Sequence, residues 1–574
     1  MATLRFSRVL AHVWIVGLAL LILGPALGQG FVLSYDLVFT PRQDLLPAAL
    51  GLGGGLPRAV PQDAVVALIE TIVPGMYVEK VVLVTVLVVA GWGMLRLLPG
   101  TTAGLMAGTF AIVNPFVLER LVIGHWGLLL AYAVAPWAIF VGLRLRQSGD
   151  IWDGVRLVLL VAAGSLTPTG SLLVVVLAVP LVLLPGSALS FGRRVATSAA
   201  CVALWLPWVI PSLMHPSDGS ADAVGASVFA LRADGPWGPI VAALSGAGIW
   251  NADVVPDSRA TGLGLVFTLI LLGLALAGGR SLNRTLGTTA CVWWCVVALI
   301  GLVGAVASSL IPGVWGSVIE VVPGGGIVRD AHKLLAPWVL LLCAAAGMGA
   351  ARATDVLRDR GTRITAVGAL ALVTVAVTPD ALWGVGGRLE SVEYPGDWAA
   401  VRAIVQTDDR EGDVVSLPWM SFRSFTWNDN RTVLDPAPRW LTRTTVVSDD
   451  LIVETSQGPE VIVGDDPRAR AISEALLVPG TADATLARLG IRWALVAKDT
   501  PGVVPSLSGW QVAFSGNDLA LYVAPEAVSP ITVPRGDLAL VAGVDSLLGM
   551  GLLVALGALG IRRVRGLTPD RLIR

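Results

Sequence analysis

Tyr35-Asp36-Leu37-Val38-Phe39-Thr40-Pro41-Arg42-Gln43-Asp44 follows directly on the first apolar span of this chain. That span, roughly Val9 to Leu27, is preceded by Arg5 and Arg8. About twenty apolar residues suffice to cross a bilayer, so the acidic stretch is expected where the chain first meets the far side of a membrane. The run is longer than the roughly 7–15 residues of a signal peptide's apolar core, and many more runs follow, so it reads as a retained first helix.

Composition carries the same message over the whole length. The 574 residues are 55% hydrophobic and 14% charged, against roughly 25% charged in soluble domains. The chain therefore reads as an α-helical polytopic protein of the cell membrane, with membrane lipids as its surroundings. A formal net charge of −1 gives no basis for nucleic-acid binding. The four cysteines all fall within apolar runs and read as small buried hydrophobes, not as a disulfide framework or metal site. No His-Glu-x-x-His stretch, Cys-x-x-Cys pair or nucleophile-elbow context points to a hydrolase or metalloenzyme.

Further apolar runs lie at about Val81–Leu98, Thr101–Val117, Leu121–Leu143, Val155–Thr169, Ser171–Leu184, Val195–Met214, Thr261–Leu276, Leu286–Ile311, Leu334–Ala350, Ile364–Val377 and Leu538–Ile561, which makes twelve with the first. Short inner loops carry an excess of arginine and lysine. With the N-terminus inside, those loops hold Arg96, Arg144, Arg146, Arg193, Arg194, Arg280, Arg284, Arg352, Arg358, Arg360 and Arg363, and the tail adds Arg562, Arg563, Arg565, Arg571 and Arg574. Both termini are thus expected in the cytoplasm. Residues 1–377 form the transmembrane domain with outer loops 28–76, 215–260 and 312–333. Residues 378–535 form a small α/β extracytoplasmic domain, and 536–574 the last span and a basic tail. In the α/β domain, Val414–Leu417, Trp493–Val496 and Leu519–Val523 read as strands, separated by helical spacing at Trp398–Gln406 and Arg468–Leu477. Ala64–Ile72 reads as a short helix lying in the outer interface.

Ionisable groups at the apolar boundary are the informative ones, because each is costly there unless paired or wet. They collect on the outer side: Asp36 and Asp44, then Glu119, Arg120 and His125 in the connection Asn114–Trp126. Arg329, Asp330, His332 and Lys333 follow Gly324-Gly325-Gly326. Glycine-rich backbone followed by basic residues at a helix start suits an anion; the alternative is that these cations reach toward lipid headgroups. Asp36, between Tyr35 and an apolar triplet, is placed for desolvation to tune it as a general base. Asp44 also reads as a helix cap. Asp545, inside the last span, pairs with an arginine or faces a wet cavity. Trp398, Trp419, Trp427 and Trp440 read as domain core before sugar platforms.

The acidic Tyr35-Asp36 motif, the interfacial helix after it and about a dozen spans with a late outer domain resemble the GT-C superfamily of integral-membrane glycosyltransferases. The stretches Tyr394-Pro395-Gly396-Asp397-Trp398, Ser416-Leu417-Pro418-Trp419 and Leu489-Gly490-Ile491-Arg492-Trp493 are similar to those of an actinobacterial group of membrane proteins. The resemblance implies transfer of a sugar from a polyprenyl-phosphate donor to a cell-envelope glycan or glycolipid acceptor, with inversion. It implies a catalytic role for Asp36, with Asp44 as the second acid, and lipid-phosphate or sugar binding by Arg42, Glu119, Arg120, His125, Arg329, Asp330, His332 and Lys333. Family members often show two adjacent acids in this loop; here Tyr35 precedes Asp36 and the next acid is Asp44. The sequence fixes no cofactor; a divalent cation is the one the resemblance admits, and no residue is assigned as a metal ligand. The competing reading is a lipid or glycan flippase, or a non-catalytic assembly scaffold. A transporter should gather polar groups at the bilayer midplane, whereas here they gather at the outer face.

Overall fold

The computed structural model describes residues 2–215, 223–322, 324–455, 458–477, 482–502, 504–507, 509–525, 528 and 530–564. Asp218, Asp222 and the tail arginines Arg565, Arg571 and Arg574 lie outside the described residues. The chain is mostly helical, and it is a membrane protein by the length and apolarity of those helices. Among the described residues, eight are long and apolar enough to cross a bilayer, or up to ten if each of two bent pairs, Phe191–Ala203 with Leu206–Met214 and Arg360–Ala376 with Pro379–Gly387, is one span. The expected twelve spans are not confirmed by length and composition. All twelve apolar runs are helical, but Ile151–Gly164 and Pro168–Leu183 have 14 and 16 residues, short of the ~20 that span a bilayer. The break falls at Ser165-Leu166-Thr167, where the Thr167 hydroxyl caps the second helix by accepting from Gly170 N.

Close helix approach holds the bundle together. Helix Ala336–Asp355 packs against Gly262–Leu286 through reciprocal glycines. A Cβ on Gly278 would lie 1.9 Å from the Ala345 carbonyl oxygen, and one on Gly349 1.9 Å from that of Leu274. Only glycine permits this approach, the usual device where lipid removes the hydrophobic drive between helices.

The C-terminal region carries a five-stranded sheet in the order Gln511–Ser515, Leu519–Val523, Ile491–Ala497, Asp413–Leu417, Thr445–Val446. The first two pairings are antiparallel and the last two parallel. Helices Gly396–Thr407 and Pro467–Leu477 accompany it. Every residue of the central strand Ile491–Ala497 is buried, as expected for a strand covered on both faces. Trp398, Trp427, Trp440, Tyr394 and Phe425 stack into one aromatic cluster, and Trp419 donates to Ser473 Oγ.

The stretch that follows the first long helix is what docks this region onto the bundle. Phe31–Val32 pairs antiparallel with Ser391–Val392. Tyr35 N donates to Thr432 O at 2.7 Å, and Leu434 N donates to Tyr35 O at 2.8 Å. Further on, Tyr394 Oη donates to Phe39 O, and Arg402 donates to both Arg42 O and the Asp44 carboxylate. Core residues of spans and sheet form one continuous apolar cluster.

Candidate active site

Ser34, Tyr35, Asp36 and Leu37 form a tight turn, closed by Leu37 N donating to Ser34 O at 2.9 Å. Tyr35 takes a left-handed φ of 47°, an unfavourable conformation for a bulky residue. It is held by neighbours on both sides: the Thr432–Leu434 strand on one, and on the other the 122–124 segment, where Ser34 Oγ donates to Val122 O and Asp36 N to Ile123 O. Gly124 is required at φ +85°, since a Cβ there would meet Leu37 N at 2.0 Å. The strain presents Asp36 to a cavity of about 400 Å³, within the usual size for small-ligand sites.

Asp36 Oδ2 accepts from His125 Nε2 at 2.9 Å. His125 Nδ1 lies 2.7 Å from the Arg120 guanidinium. Arginine has no acceptor, so Nδ1 must accept and the ring proton sits on Nε2, directed at Asp36. Arg120, fully buried, also binds Asp330 through both terminal nitrogens at 2.6 and 2.8 Å, and donates to His332 Nδ1 at 2.9 Å. His332 is fixed in the same tautomer, donating from Nε2 to Gly246 O at 3.0 Å. Glu119 Oε2 accepts from Ile249 N at 3.2 Å. Glu119 and His332 thus clamp the 246–249 backbone, and Trp250, next in sequence, faces the cavity.

Burial would raise the Asp36 pKa, but the His125 hydrogen bond and charge, with Lys333 and Arg439, hold it below the ordinary carboxylate value. His125 is pushed down, by burial first and then by Lys333 and Arg120 against the pull of Asp36. At neutral pH the pair is a carboxylate and a neutral imidazole. Burial likewise works against ionised Asp330, and Arg120 and Lys333 outweigh it, holding Asp330 well below the usual range. Arg329 is pushed down to about 10 by burial and the nearby Arg58 guanidinium, so it stays charged. It packs over the Phe229 ring at 4.8 Å and has no hydrogen-bonded partner among the described residues. Lys333 Nζ is 3.6 Å from Asp330 Oδ2, which Arg120 already occupies. The cavity wall therefore offers two cations, Arg329 and Lys333, whose charge is not fully matched.

Of the residues expected from sequence, Asp36, His125, Arg329, Asp330 and Lys333 line this one cavity. Glu119, Arg120 and His332 do not. They are completely buried behind it, which corrects two expectations. Glu119 and Arg120 do not sit in a surface connection, because Pro115–Val122 is a buried helix capped by Asn114. His332 is not a headgroup anchor, and Arg329–Lys333 precedes the long helix in short 3-10 turns and not in its first turn. Asp44 and Arg42 do not line the cavity either: Asp44 pairs with Arg402 at 2.6 Å. Asp545 Oδ1 has no hydrogen-bond partner among the described residues.

Sequence reasoning missed Arg58, Trp250, Arg439 and Asp449, all on the cavity wall. Arg439 is paired with Asp63 at 3.2 Å and Arg58 with Asp465. Asp449, accepting from Asp466 N, is pushed up chiefly by burial. Trp250 was findable as an aromatic in the long loop between two apolar runs; Arg439 meets Asp63 across 376 residues, which no local pattern reveals. A divalent cation fits this wall poorly. The Asp36 and Asp330 oxygens are taken by His125 and Arg120, cations stand beside them, and no three His, Cys, Asp or Glu side chains gather as a metal site among the described residues.

No family model matches the sequence, and no curated protein sequence matches it. Among solved structures, the mycobacterial arabinofuranosyltransferase AftD aligns over 91% of this chain with a TM-score of 0.59 and 18% identity. A mutant form of the same enzyme aligns over 91% with a TM-score of 0.53 and 17% identity. The chain spans only 40% and 41% of those two structures. With its bundle of long apolar helices, its docked α/β region and the Asp36 cavity, this chain shares its fold with the aligned part of that arabinofuranosyltransferase structure.

Proposed function

We propose that the protein transfers a sugar from a polyprenyl-phosphate donor to a hydroxyl of a cell-envelope glycan or glycolipid, on the outer face of the membrane. The observation that carries this reading is the convergence of Asp36, His125, Arg329 and Lys333 on one cavity within a glycosyltransferase fold. The outer orientation of the 378–535 domain and the inner placement of both termini rest on the arginine distribution. The structural neighbour is an arabinofuranosyltransferase, which makes a pentofuranosyl donor the first to test.

In this mechanism the acceptor hydroxyl lies against Asp36 Oδ1, the oxygen not used by His125. Its oxygen attacks the anomeric carbon while the bond to the phosphate oxygen breaks on the opposite side, inverting the configuration. The hydroxyl proton passes to Asp36, and the bonding pair leaves on the polyprenyl phosphate. Arg329 and Lys333 receive the charge that grows on that phosphate. Asp36 is a weak base, but the hydroxyl becomes acidic as its oxygen bonds to carbon, so late proton transfer suffices. Asp330, Arg120 and His125 hold the geometry, and Asp44 belongs to domain docking.

Labelled polyprenyl-phosphate sugar added to the purified protein in nanodiscs is expected to yield glycosylated acceptor. Arg329→Ala is expected to raise the donor KM about tenfold, the loss of one charge-assisted phosphate contact. An unchanged KM would return Arg329 to a packing role against Phe229. The pH profile follows from the pKa directions. A carboxylate with a depressed pKa stays ionised as pH falls through the usual range, and His125 is already neutral above its own lowered value. The rate is therefore expected to stay flat as pH falls through the ordinary imidazole value of about 6.5, the acid limb of Asp36 lying below the ordinary Asp value of about 3.9. A limb centred near the free-imidazole value of about 6.5 would show that His125 titrates in the reaction.

A further inference from the structure

The break between the short helices Ile151–Gly164 and Pro168–Leu183 builds one wall of the Asp36 cavity. Leu166 O, inside the break, accepts from Gln62 N at 3.0 Å and so ties down the start of the helix Gln62–Glu70. Asp63, the next residue, pairs with Arg439 and fixes the same turn from another side. Gln62 is thereby buried, only 9% exposed, with its side chain lying over Gly127, two residues beyond His125. A Cβ at Gly127 would stand 2.3 Å from Gln62 Oε1 and 2.7 Å from Thr167 Cγ2. Glycine is what leaves room there for both side chains.

Gln62, Gly127, Thr167 and Thr169 all line the cavity. The Gln62 amide and the Thr169 hydroxyl make no hydrogen bond among the described residues, and their polar atoms stay open to the cavity. Thr167 Oγ1 accepts from Gly170 N at 3.2 Å and keeps its own proton to donate. This wall therefore offers donors and acceptors together, with no net charge, since Asp63 and Arg439 match each other. The surroundings of Arg329 differ. Its guanidinium lies over the Phe229 ring, Trp250 meets that ring edge-on at 4.8 Å, and Ile462 packs in the same apolar cluster. The cavity thus has a cationic, apolar half that suits a lipid phosphate and a neutral, hydrogen-bonding half beside His125.

We propose that the neutral half holds the ring hydroxyls of the acceptor, with Gln62 as the residue that selects a carbohydrate over a simple alcohol. The inference rests on the transfer reading given above. The attacking hydroxyl has to reach Asp36, so the hydroxyls on neighbouring ring carbons fall along the wall next to His125. Each of them donates and accepts, as does an amide. An alcohol with a single hydroxyl would leave the Gln62 amide desolvated and unpaired, and an unmet buried polar group is what makes a site discriminate.

Acceptor kinetics of the full chain in nanodiscs test this, with octyl arabinofuranoside, its monodeoxy analogues and octanol as acceptors. Gln62→Leu keeps the side chain's size and removes its hydrogen bonding. It is expected to raise the acceptor KM about tenfold and to leave the donor KM unchanged. One monodeoxy analogue is expected to lose about the same factor against the unsubstituted chain and nothing further against Gln62→Leu. Thr169→Val, away from the tied helix start, gives the reading if Gln62→Leu does not fold. An unchanged acceptor KM in the folded variant, equal use of octanol, or a rise in the donor KM in place of the acceptor KM would overturn the assignment. If the unsubstituted chain transfers no sugar at all, the transfer reading fails, and calorimetric binding of octyl arabinofuranoside decides the inference separately. Binding weakened about tenfold in Gln62→Leu supports it; equal binding overturns it.

Discussion

Asp36→Asn is expected to lower sugar transfer by about 10²–10⁴-fold, the usual contribution of a positioned general base. The amide keeps the shape of the carboxylate, and its oxygen still accepts from His125 Nε2, so the Ser34–Leu37 turn has no reason to move. What is lost is the capacity to take a proton. Donor affinity should stay near wild type, because the phosphate is held by Arg329 and Lys333 on the other wall. The effect thus falls on kcat and leaves the donor KM almost untouched. Asp449→Asn is the comparison that gives the result meaning, since Asp449 is the other acid on this wall without an arginine partner. If Asp449→Asn abolishes transfer and Asp36→Asn does not, the base has been assigned to the wrong carboxylate.

Arg120→Met is expected to be the most damaging substitution to the fold. Arg120 is fully buried and makes four short contacts, two to Asp330 and one each to His125 and His332. Removing one partner of a buried ion pair costs roughly 3–5 kcal/mol, mostly through the charge left behind. Asp330 would be that charge, with Lys333, 3.6 Å away, as the cation paired with it. Arg120→Met combined with Asp330→Asn is therefore expected to recover part of the loss, and thermal unfolding of the three variants reads the coupling directly. Additive losses would mean that the pair contributes no coupling. The single variant should also lose activity at temperatures where it is folded, because nothing then fixes the His125 tautomer.

The spans and the α/β region were legible because their signals are local. Apolar runs of about twenty residues and alternating strands are properties of short windows. The exceptions are instructive. Apolarity alone cannot say whether a short helix such as Ile151–Gly164 or Pro168–Leu183 crosses or is supported by neighbours. Pro115–Val122 was read as a surface connection because it carries Glu119 and Arg120; an eight-residue helix can bury both only if partners arrive from far away in sequence, Asp330 from 210 residues on. The position of Asp36, directly after the first span, was readable. That His125 would meet it, that Arg120 would set the histidine's proton, and that Arg439 and Trp250 would close the wall are tertiary facts with no local signature. Asp44 shows the opposite error: its closeness to Asp36 in sequence suggested a shared site, while the extended chain between them carries it to Arg402.

The central claim is that one cavity binds the lipid-linked donor with its phosphate on Arg329 and Lys333 and its anomeric carbon facing Asp36. The most direct measurement is a structure of the full chain with a non-transferable polyprenyl phosphonate analogue of the sugar donor. Phosphonate oxygens are expected within hydrogen-bond distance of both cations, with the anomeric carbon open to attack from the side of Asp36 Oδ1. A phosphonate bound away from these cations, or a sugar turned so that its anomeric carbon faces away from Asp36, would contradict it.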